Sequence, residues 1–321
     1  MEYRRLGRTG LKVSTICLGT MQFGWTADEA LSHQIMREAV TLGCNFFDTA
    51  DIYSRWADGN DGGVSESIVG SWLAKGSVKR QELVLATKIR GEMGPGPNDQ
   101  GLSRQHIMNG VEDSLRRLQC DYIDLYQLHW PDEETPLDET LTALDDLVRA
   151  GKVRYIGCSN YPAWLLAKSL WISDVRGLVR FDSLQPHYSL VHRSEFEREL
   201  QPLCLDQGVG VIPYSPLAGG FLTGKYRRDT VLPDSARAEG VRNRYMNDAG
   251  FAAIDKLEEI GLAHDATVAQ TAIAWVLANP AVSSAIIGAN SIAQLRDTIK
   301  GADVKLKGSE KESLDEVTAW K

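Results

Sequence analysis

Short β-branched runs alternate with longer helical patterns along this 321-residue chain, and the alternation restricts the fold more than any other feature. Eight runs have the length and composition of strands, and they span residues 14–20, 44–50, 82–89, 122–130, 153–160, 181–189, 208–217 and 283–289. The helical patterns between them include 28–43, 65–76, 103–119 and 138–152, which open on a Ser or Asp suited to capping. Repeated βα units predict a parallel sheet, and eight of them close most economically into a (β/α)8 barrel with its helices outside.

Three segments depart from a minimal barrel. Residues 3–14 contain two short extended runs around a Gly-containing turn, which predicts a hairpin across the N-terminal end of the barrel. Residues 54–63 form a Gly- and Asp-rich loop, and about 65 residues separate strands 7 and 8, with a polar loop at 224–246 and two helices. Neither insertion has enough apolar residues for a core of its own. The sequence therefore predicts one α/β domain over 1–321: a TIM barrel with an N-terminal β-hairpin cap and extra helices between strands 7 and 8.

Charge and hydropathy narrow the class of ligand. The formal net charge of −8 argues against nucleic-acid and anionic-membrane partners, because both require clustered Lys and Arg. The first residues lack the apolar run of a signal peptide, and no window approaches the roughly 18 apolar residues that span a bilayer. Five cysteines occur without zinc-like spacing, so we expect buried free thiols. The composition predicts a soluble, cytoplasmic protein that binds a small molecule and no metal; it predicts no particular protein partner.

Ionisable side chains stand at the ends of three neighbouring predicted strands. Asp48 ends strand 2 and Tyr53 lies in the loop after it, Lys88 ends strand 3, and His129 ends strand 4. Active sites of such barrels lie at the carboxyl ends of the strands. A purely structural Asp48–Lys88 ion pair and a structural histidine are the simpler alternatives, but the combination of the four favours a catalytic site.

The same stretches closely resemble the aldo-keto reductase family over essentially the whole length of the chain. The likeness is carried by "GLKVSTICLGT", "FFDTADIY", "GVSESIVGSWL", "VLATK", "YIDLYQLHWPD", "GKVRYIGCSN", "LQPHYSL", "VIPYSPLAGGFLTGKY" and "AIIGANSIAQLRDT". The resemblance implies an NAD(P)H-dependent reductase of aldehydes or ketones, which holds its cofactor across the mouth of the barrel without a Rossmann domain. Consistent with this, no GxGxxG motif follows a predicted strand.

Roles for the four residues follow from the chemistry that the resemblance implies. Hydride transfer to a carbonyl builds negative charge on its oxygen, which must be stabilised and protonated. Tyr53 is the expected proton donor, and we expect the Lys88 cation to lower its pKa from about 10. Asp48 would hold Lys88 in place. His129 would either orient the substrate carbonyl or assist its protonation, and the sequence leaves both roles open.

The resemblance also implies a set of cofactor contacts. Ser159, Asn160 and Gln185 match positions that hydrogen-bond the nicotinamide carboxamide, and Tyr214 matches the aromatic residue that stacks on the ring. A turn-forming role for the strand-end Asn is the alternative. The other matched positions lie in three segments, with Gly19, Thr20 and Met21 in the first, Ser215, Leu217, Gly219 and Lys225 in the pyrophosphate loop, and Gly288, Asn290, Gln294 and Thr298 around the adenosine end.

The adenosine segment departs from the family pattern. Many relatives that prefer NADP place Lys or Arg just after the Gly-Ala pair, whereas this chain has Asn290 and Gln294. Lys225 with Arg227 or Arg228 remains as a source of positive charge for phosphate. We therefore expect NADPH to be preferred and NADH to be usable.

Three tryptophans in predicted βα loops, Trp25, Trp56 and Trp130, are candidates for an apolar wall around the substrate, with packing within the loops as the alternative. Asp58, Asn60 and Asp61 are candidates for contacts with a sugar-like aldehyde, or they form a solvated turn. The expected substrate is a small polar, sugar-like or aromatic carbonyl compound.

Two other functions fit the same residues. A regulatory subunit resembling the potassium-channel β-subunits would keep the four residues and bind cofactor with little turnover. A Schiff-base aldolase would use Lys88 as its nucleophile.

Overall fold

The computed structural model describes residues 1–76, 78–228 and 230–320. Two strands form an N-terminal hairpin, β1 (Tyr3–Arg5) and β2 (Lys12–Ser14). Eight more form the central sheet, which contains β3 (Ile16–Gly19), β4 (Phe46–Asp48), β5 (Val84–Ile89), β6 (Ile123–Leu128), β7 (Val153–Ser159), β8 (Ser183–Gln185), β9 (Gly210–Val211) and β10 (Ala285–Ile287). Each is shorter than its predicted run, because the apolar sequence continues beyond the residues that form ladder hydrogen bonds.

The eight central strands pair in parallel in the order β10-β3-β4-β5-β6-β7-β8-β9. Backbone hydrogen bonds then join the two ends of this order. The N–H of Ser283 donates to the carbonyl of Val211 at 2.8 Å, and the N–H of Ile286 donates to the carbonyl of Pro213 at 3.0 Å. The sheet therefore curls round on itself, which confirms the predicted (β/α)8 barrel.

The hairpin covers the N-terminal end of the barrel, as predicted. Strands β1 and β2 pair antiparallel, and the N–H of Arg8 at the hairpin tip donates to the carbonyl of Gly208, just before β9. Gly7 adopts φ +55°, and a Cβ there would lie 2.4 Å from the backbone nitrogen of Gly210, so only glycine fits. Leu6 is fully buried in the barrel interior, which closes this end against solvent.

The α-helices of the described residues are α1 (Glu29–Thr41), α2 (Val64–Ala74), α3 (Arg104–Leu118), α4 (Leu137–Arg149), α5 (Ala163–Arg176), α6 (Gln201–Gln207), α7 (Ala238–Tyr245), α8 (Asp248–Ala263), α9 (Val268–Leu277), α10 (Ile292–Ile299) and α11 (Gly308–Val317). Asp28 and Ser103 cap α1 and α3 as expected. The caps expected at Ser65 and Asp138 are wrong, because α2 starts after Gly63 and α4 after Pro136 without a side-chain cap. None of the described helices is long and apolar enough to cross a bilayer.

The segment between β9 and β10 holds three α-helices, α7, α8 and α9, where the sequence predicted two. The predicted polar loop at 224–246 ends in α7. Ala238, Val241 and Tyr245 follow one another at helical spacing, and all three are buried, so this short polar sequence has one apolar face. That face packs on residues 218–223, where the ring centroids of Tyr245 and Phe221 lie 5.9 Å apart. The extra helices themselves are confirmed.

Alternate residues of the strands point to two separate cores. In β3 and β4, Cys17 and Phe46 face the barrel interior, whereas Leu18 and Phe47 face the surrounding helices. All five cysteines are free thiols; four are buried and Cys120 is half-buried. The interior core fills the lower part of the barrel and leaves its carboxyl-terminal mouth to polar side chains.

Candidate active site

The four predicted catalytic residues come together at the carboxyl-terminal mouth of the barrel. Asp48 is the last ladder residue of β4 and lies opposite Ala86 of β5. Lys88 is the last but one residue of β5, and Tyr53 lies in the turn that follows β4. His129 follows β6, and its N–H donates to the carbonyl of Ile89 at 3.0 Å. Their proximity follows from parallel pairing, which brings the ends of adjacent strands to one edge.

Lys88 is fully buried, and its ammonium group makes three hydrogen bonds. Nζ donates to Asp48 Oδ2 at 2.5 Å, to Tyr53 Oη at 2.8 Å and to the carbonyl of Thr49 at 2.9 Å. An ammonium group has three protons to donate, so every one of them has an acceptor. The charge is therefore compensated despite its burial.

The second oxygen of Asp48 is held by two side-chain amides, one from β6 and one from β8. Oδ1 accepts from Gln127 Nε2 at 3.0 Å and from Gln185 Nε2 at 2.9 Å. Sequence analysis did not identify Gln127, because the predicted strand ran on to residue 130; in the structure it is the last but one residue of β6 and pairs with Lys88 in the ladder. Both carboxylate oxygens are satisfied, so Asp48 fixes the position of Lys88 and, through it, the Tyr53 hydroxyl.

Burial and the neighbouring charges set the pKa values of this group. Burial works against the Lys88 charge, but Asp48 and Tyr53 outweigh it and raise the Lys88 pKa above its ordinary value. For Tyr53, burial raises the pKa, and the opposing effect of Lys88 is smaller. Lys88 thus acts in the expected direction, but burial outweighs it, and the net pKa of Tyr53 lies above its ordinary value rather than below it. Tyr53 is held as a neutral phenol at neutral pH.

His129 faces Tyr53 as a neutral imidazole. The two ring centroids lie 5.8 Å apart with the planes at 75°. Burial lowers the pKa of His129 to about 3, and the charges of Lys88 and Arg90 add to the effect. A neutral imidazole still donates one hydrogen bond, which suits it to orient a carbonyl oxygen rather than to supply a proton.

A cavity of about 810 Å³ opens above these residues. Besides Asp48, Tyr53 and His129 it is lined by most of the residues predicted for cofactor and substrate, namely Gly19, Met21, Trp25, Trp56, Trp130, Ser159, Asn160, Gln185, Tyr214, Ser215, Leu217, Gly219, Lys225, Gly288, Asn290, Gln294 and Thr298. Thr20 is the exception among the predicted cofactor residues. Its hydroxyl is buried beneath the cavity and bonds Ser65 Oγ at 2.8 Å and the Asp48 carbonyl at 3.1 Å, so its side chain has a structural role.

The three predicted tryptophans form part of the cavity wall. Trp56 packs edge-on against Trp25 at 5.8 Å between ring centroids and against Tyr53 at 6.1 Å. Trp130 is half exposed on the other side. The polar residues of the 54–63 loop do not line the cavity, and Asn60 instead donates to the carbonyl of Gly24 at 2.9 Å.

The expected carboxamide-binding residues are already bonded to one another. Asn160 Nδ2 donates to the His129 carbonyl at 3.0 Å, and Asn160 Oδ1 accepts from Tyr214 Oη at 2.9 Å. Asn160 has φ +60°, which Asn tolerates better than most residues. Ser159 Oγ donates to the carbonyl of Gln185 at 2.8 Å. The geometry thus gives Asn160 a part in fixing the Tyr214 ring and the backbone of His129.

Of the three basic residues expected to bind phosphate, Lys225 lines the cavity, whereas Arg227 and Arg228 do not. Arg227 pairs with Glu258 and Arg228 with Asp248, both outside the cavity. Lys225 lines the cavity and has no ion-pair partner within the described part of the chain.

Arg237, which sequence analysis missed, also lines the cavity, half-buried and with its guanidinium 5.9 Å from the centroid of Trp25. Burial lowers its pKa, and among the described residues no carboxylate pairs with it. The sequence has five arginines between 227 and 244 and gives no signal that separates the one in the cavity from the rest.

The other end of the cavity has no basic side chain among the described lining residues, and it includes the carboxylate of Asp297, which accepts from Gln270 Nε2 at 2.7 Å. Asn290 Oδ1 accepts from Thr26 Oγ1 at 2.9 Å, and Gln294 Oε1 accepts from the N–H of Asn290 at 2.8 Å. Arg296, the next basic residue along the chain, turns away and pairs with Glu38. Gly288 beside them is held close to Gln22, whose amide would clash with any Cβ there.

Comparisons with known proteins identify the family to which the chain belongs. The model of the aldo/keto reductase family matches residues 15–319. An uncharacterized oxidoreductase of Bacillus subtilis, YrpG, is 44% identical over 311 residues, covering 95% of this chain and 92% of that protein. A probable voltage-gated potassium channel subunit beta of Arabidopsis thaliana is 37% identical over 309 residues, again 95% and 92%. Versiconal hemiacetal acetate reductase of Aspergillus parasiticus is 36% identical over 342 residues, 98% of this chain and 96% of the reductase. The chain belongs to the aldo/keto reductase family and is an NAD(P)H-dependent reductase.

Proposed function

We propose that this protein, as a single barrel domain, reduces an aldehyde or ketone with NADPH as its preferred cofactor and Tyr53 as the proton donor. The observation that carries the proposal is the hydrogen-bonded chain from Asp48 through Lys88 to Tyr53, which ends at the floor of an 810 Å³ cavity. A nicotinamide cofactor, when bound, supplies the hydride. The protein supplies the proton and holds the reacting groups in place.

The proton step follows from the hydrogen bonds. As negative charge grows on the substrate oxygen, the Tyr53 hydroxyl donates its proton to it. The phenolate that remains lies 2.8 Å from the Lys88 ammonium group, which stabilises it without moving. Asp48 keeps Lys88 in place throughout, because both of its oxygens are bonded. His129, being neutral, donates a hydrogen bond that orients the carbonyl.

The cavity suits an anionic dinucleotide. Lys225 and Arg237 line the cavity without an ion-pair partner among the described residues; Arg237 is also half-buried, which is unfavourable for an unpaired cation, so a phosphate beside it would relieve that cost. We expect Arg237→Met to weaken NADPH binding about tenfold or more, since a hydrogen bond to a charged group contributes about 1.5–3 kcal/mol. Arg228→Met, which removes an arginine already paired with Asp248, is the matched control. Equal affinities of the two variants would contradict this role.

The preference for NADPH over NADH should be modest, because Asn290 and Gln294 offer neutral donors and acceptors where a cation would bind the 2′-phosphate best. Asn290→Arg should tighten NADPH more than NADH, by about ten- to a hundredfold in the ratio of their Kd values. Fluorescence titration of wild type and variant with both cofactors measures this. An unchanged ratio would show that Asn290 does not lie beside the 2′-position.

The wall formed by Trp25, Trp56 and Trp130 favours an aromatic or apolar carbonyl compound over a sugar-like one, since the loop residues Asp58, Asn60 and Asp61 lie outside the cavity. A titration with NADPH, followed by turnover assays with benzaldehyde and glyceraldehyde, tests this. We expect the larger kcat/KM for benzaldehyde and a loss of that difference in Trp56→Ala. Failure of both aldehydes to oxidise NADPH would contradict the proposed reaction.

A regulatory role is the second candidate, because a relative that is 37% identical is named as a probable potassium channel subunit. Steady turnover with a simple aldehyde would exclude it. The aldolase alternative is disfavoured by Lys88 itself, since a Schiff base needs a neutral amine and the Lys88 pKa is raised. A cytoplasmic location and the lack of a nucleic-acid partner stay predictions.

A further inference from the structure

Three aromatic rings stack behind the wall of the cavity. The ring of Tyr214, which lines the cavity, lies 5.1 Å from that of His187 with 12° between the planes. The ring of His192 stacks on that of His187, with 3.8 Å between the centroids and 19° between the planes. Only one face of Tyr214 is therefore left for a ligand. We name Tyr214, His187 and His192 the three-ring stack.

The backbone builds this stack directly. His187 and Tyr214 form an isolated parallel bridge beyond the ends of β8 and β9, so their side chains lie side by side. The N–H of Tyr214 donates to the carbonyl of Pro186 at 3.0 Å. Ser189 and His192 then exchange two backbone hydrogen bonds, of 3.0 and 3.1 Å, in a tight turn that brings the second imidazole back onto the first.

Each ring of the stack is also held at its edge by a hydrogen bond. Tyr214 Oη donates to Asn160 Oδ1 at 2.9 Å, His187 Nε2 lies 3.4 Å from Tyr245 Oη, and His192 Nε2 lies 3.2 Å from Glu195 Oε2. A ring that is fixed at its edge and covered on one face has little freedom to tilt. The plane of Tyr214 is thus set by Asn160, which lines the cavity, and by His187 and His192, which do not.

The charges around the stack keep its middle ring neutral. Burial lowers the pKa of His187 to about 4, and the charges of His192 and Arg244 act in the same direction. A neutral imidazole stacks on a phenol ring without the cost of burying a cation.

We propose that His187, supported by His192, is a positioning residue that fixes the plane of Tyr214 and thereby strengthens binding of the nicotinamide end of the cofactor. The inference rests on the proposed function and on the stacking of Tyr214 on the nicotinamide ring, which the family resemblance implies. It assigns a role to His187 that neither strand-end position nor exposure to the cavity indicates.

The test compares two ligands, NADPH and 2′,5′-ADP, which has no nicotinamide. His187→Leu should raise the Kd of NADPH about two- to tenfold, which corresponds to the contribution of one stacked aromatic pair, and leave the Kd of 2′,5′-ADP unchanged. His187→Phe keeps a flat ring and should restore NADPH binding. His192→Leu should have the same effect as His187→Leu but smaller. His264→Leu, which removes a ring bonded to Glu310 outside the cavity, is the matched control.

Three results would overturn the proposal. They are an unchanged Kd of NADPH in His187→Leu, an equal loss of affinity for both ligands, and no recovery in His187→Phe. If His187→Leu does not fold, His192→Leu with the same two ligands decides the matter. Wild type that fails to bind NADPH at all would instead contradict the proposed function, so the two failures are distinguishable.

Discussion

Two buried carboxylates lie three residues apart at the end of β4, in very different surroundings. Asp48 lies in an inner pocket, where Lys88, Gln127 and Gln185 bond both of its oxygens. Asp51 lies in an outer pocket, where Oδ1 accepts from the N–H of Ile52 at 2.7 Å and Oδ2 has no partner among the described residues. Both side chains are about 1% exposed.

The difference shows that equal burial does not give two acidic side chains the same role, because the role also depends on their charged and hydrogen-bonding partners. Burial raises the pKa of Asp51 to about 7, and the charge of Glu66 adds to the effect. Asp48, by contrast, pairs with Lys88, and this pair positions the hydroxyl of Tyr53, the proposed proton donor. In the inner pocket Asp48 thus holds a cation beside Tyr53, whereas in the outer pocket burial makes the carboxyl group of Asp51 easier to protonate.

Removing Lys88, the charged partner of Asp48, should leave a buried carboxyl group without a cation beside it, and we expect this change to have the largest effect. Lys88→Met leaves a buried carboxylate unpaired, which costs about 3–5 kcal/mol of the free energy of unfolding, and should also cut kcat about 10²-fold or more. Urea unfolding and single-turnover kinetics measure the two effects. The double variant Asp48→Asn with Lys88→Met removes both charges and should recover part of the stability. A Lys88→Met protein with wild-type turnover would show that another group acts on Tyr53.

Tyr53→Phe tests the inner pocket without disturbing its charges. Only the hydroxyl is lost, so kcat should fall at least about 10²-fold, whereas the Kd of NADPH should hardly change. Tyr122→Phe, which alters a ring packed between Arg80 and Arg154 outside the cavity, is the control. Retention of most activity in Tyr53→Phe would rule out the assignment.

Asp51→Asn tests the outer pocket. The folded-state pKa of about 7 exceeds the unfolded value of about 3.9, so folded protein binds more protons between them and wild type loses stability as pH rises through this window. Asparagine does not titrate. The variant should therefore gain about 1–3 kcal/mol relative to wild type between pH 5 and pH 8.

Urea unfolding at both pH values measures this gain. The control is Asp61→Asn, a change to an exposed residue of the same loop. The same difference between Asp51→Asn and wild type at both pH values would show that Asp51 titrates normally.

The smallest effect concerns the pH profile of kcat/KM. The pKa of Tyr53 is raised, so its proton is retained through neutral pH and lost only above about 10. The pKa of His129 is lowered to about 3, so its ring stays neutral from pH 5 upward. We therefore expect neither Tyr53 nor His129 to produce a step in kcat/KM between pH 5 and 8. A step near pH 6.5 that disappears in His129→Gln would contradict the neutral imidazole.

Sequence analysis predicted much of the architecture and the group of four residues. Alternation of strand and helix patterns is local, and parallel pairing in a closed barrel then brings Asp48, Lys88 and His129 to one edge whatever the loops do. Where the prediction failed, as at the start of α2 and in the extra helix α7, local patterns competed with tertiary packing. A Ser at position 65 looks like a cap, yet its hydroxyl is buried against Thr20 and Thr49.

The sequence by itself determined the barrel, its hairpin cap and which side chains stand at the mouth, because each depends on residue periodicity and strand-end position. Only the tertiary structure decided which charges are paired. Arg227 and Arg228 pair with carboxylates, and Gln127 on β6 bonds Asp48 on β4. Within the part of the chain that the structure describes, Arg237 has no carboxylate partner and Asp51 Oδ2 has no hydrogen-bond partner. These outcomes depend on distances between residues far apart in the chain, and electrostatic energies change steeply with such distances and with burial.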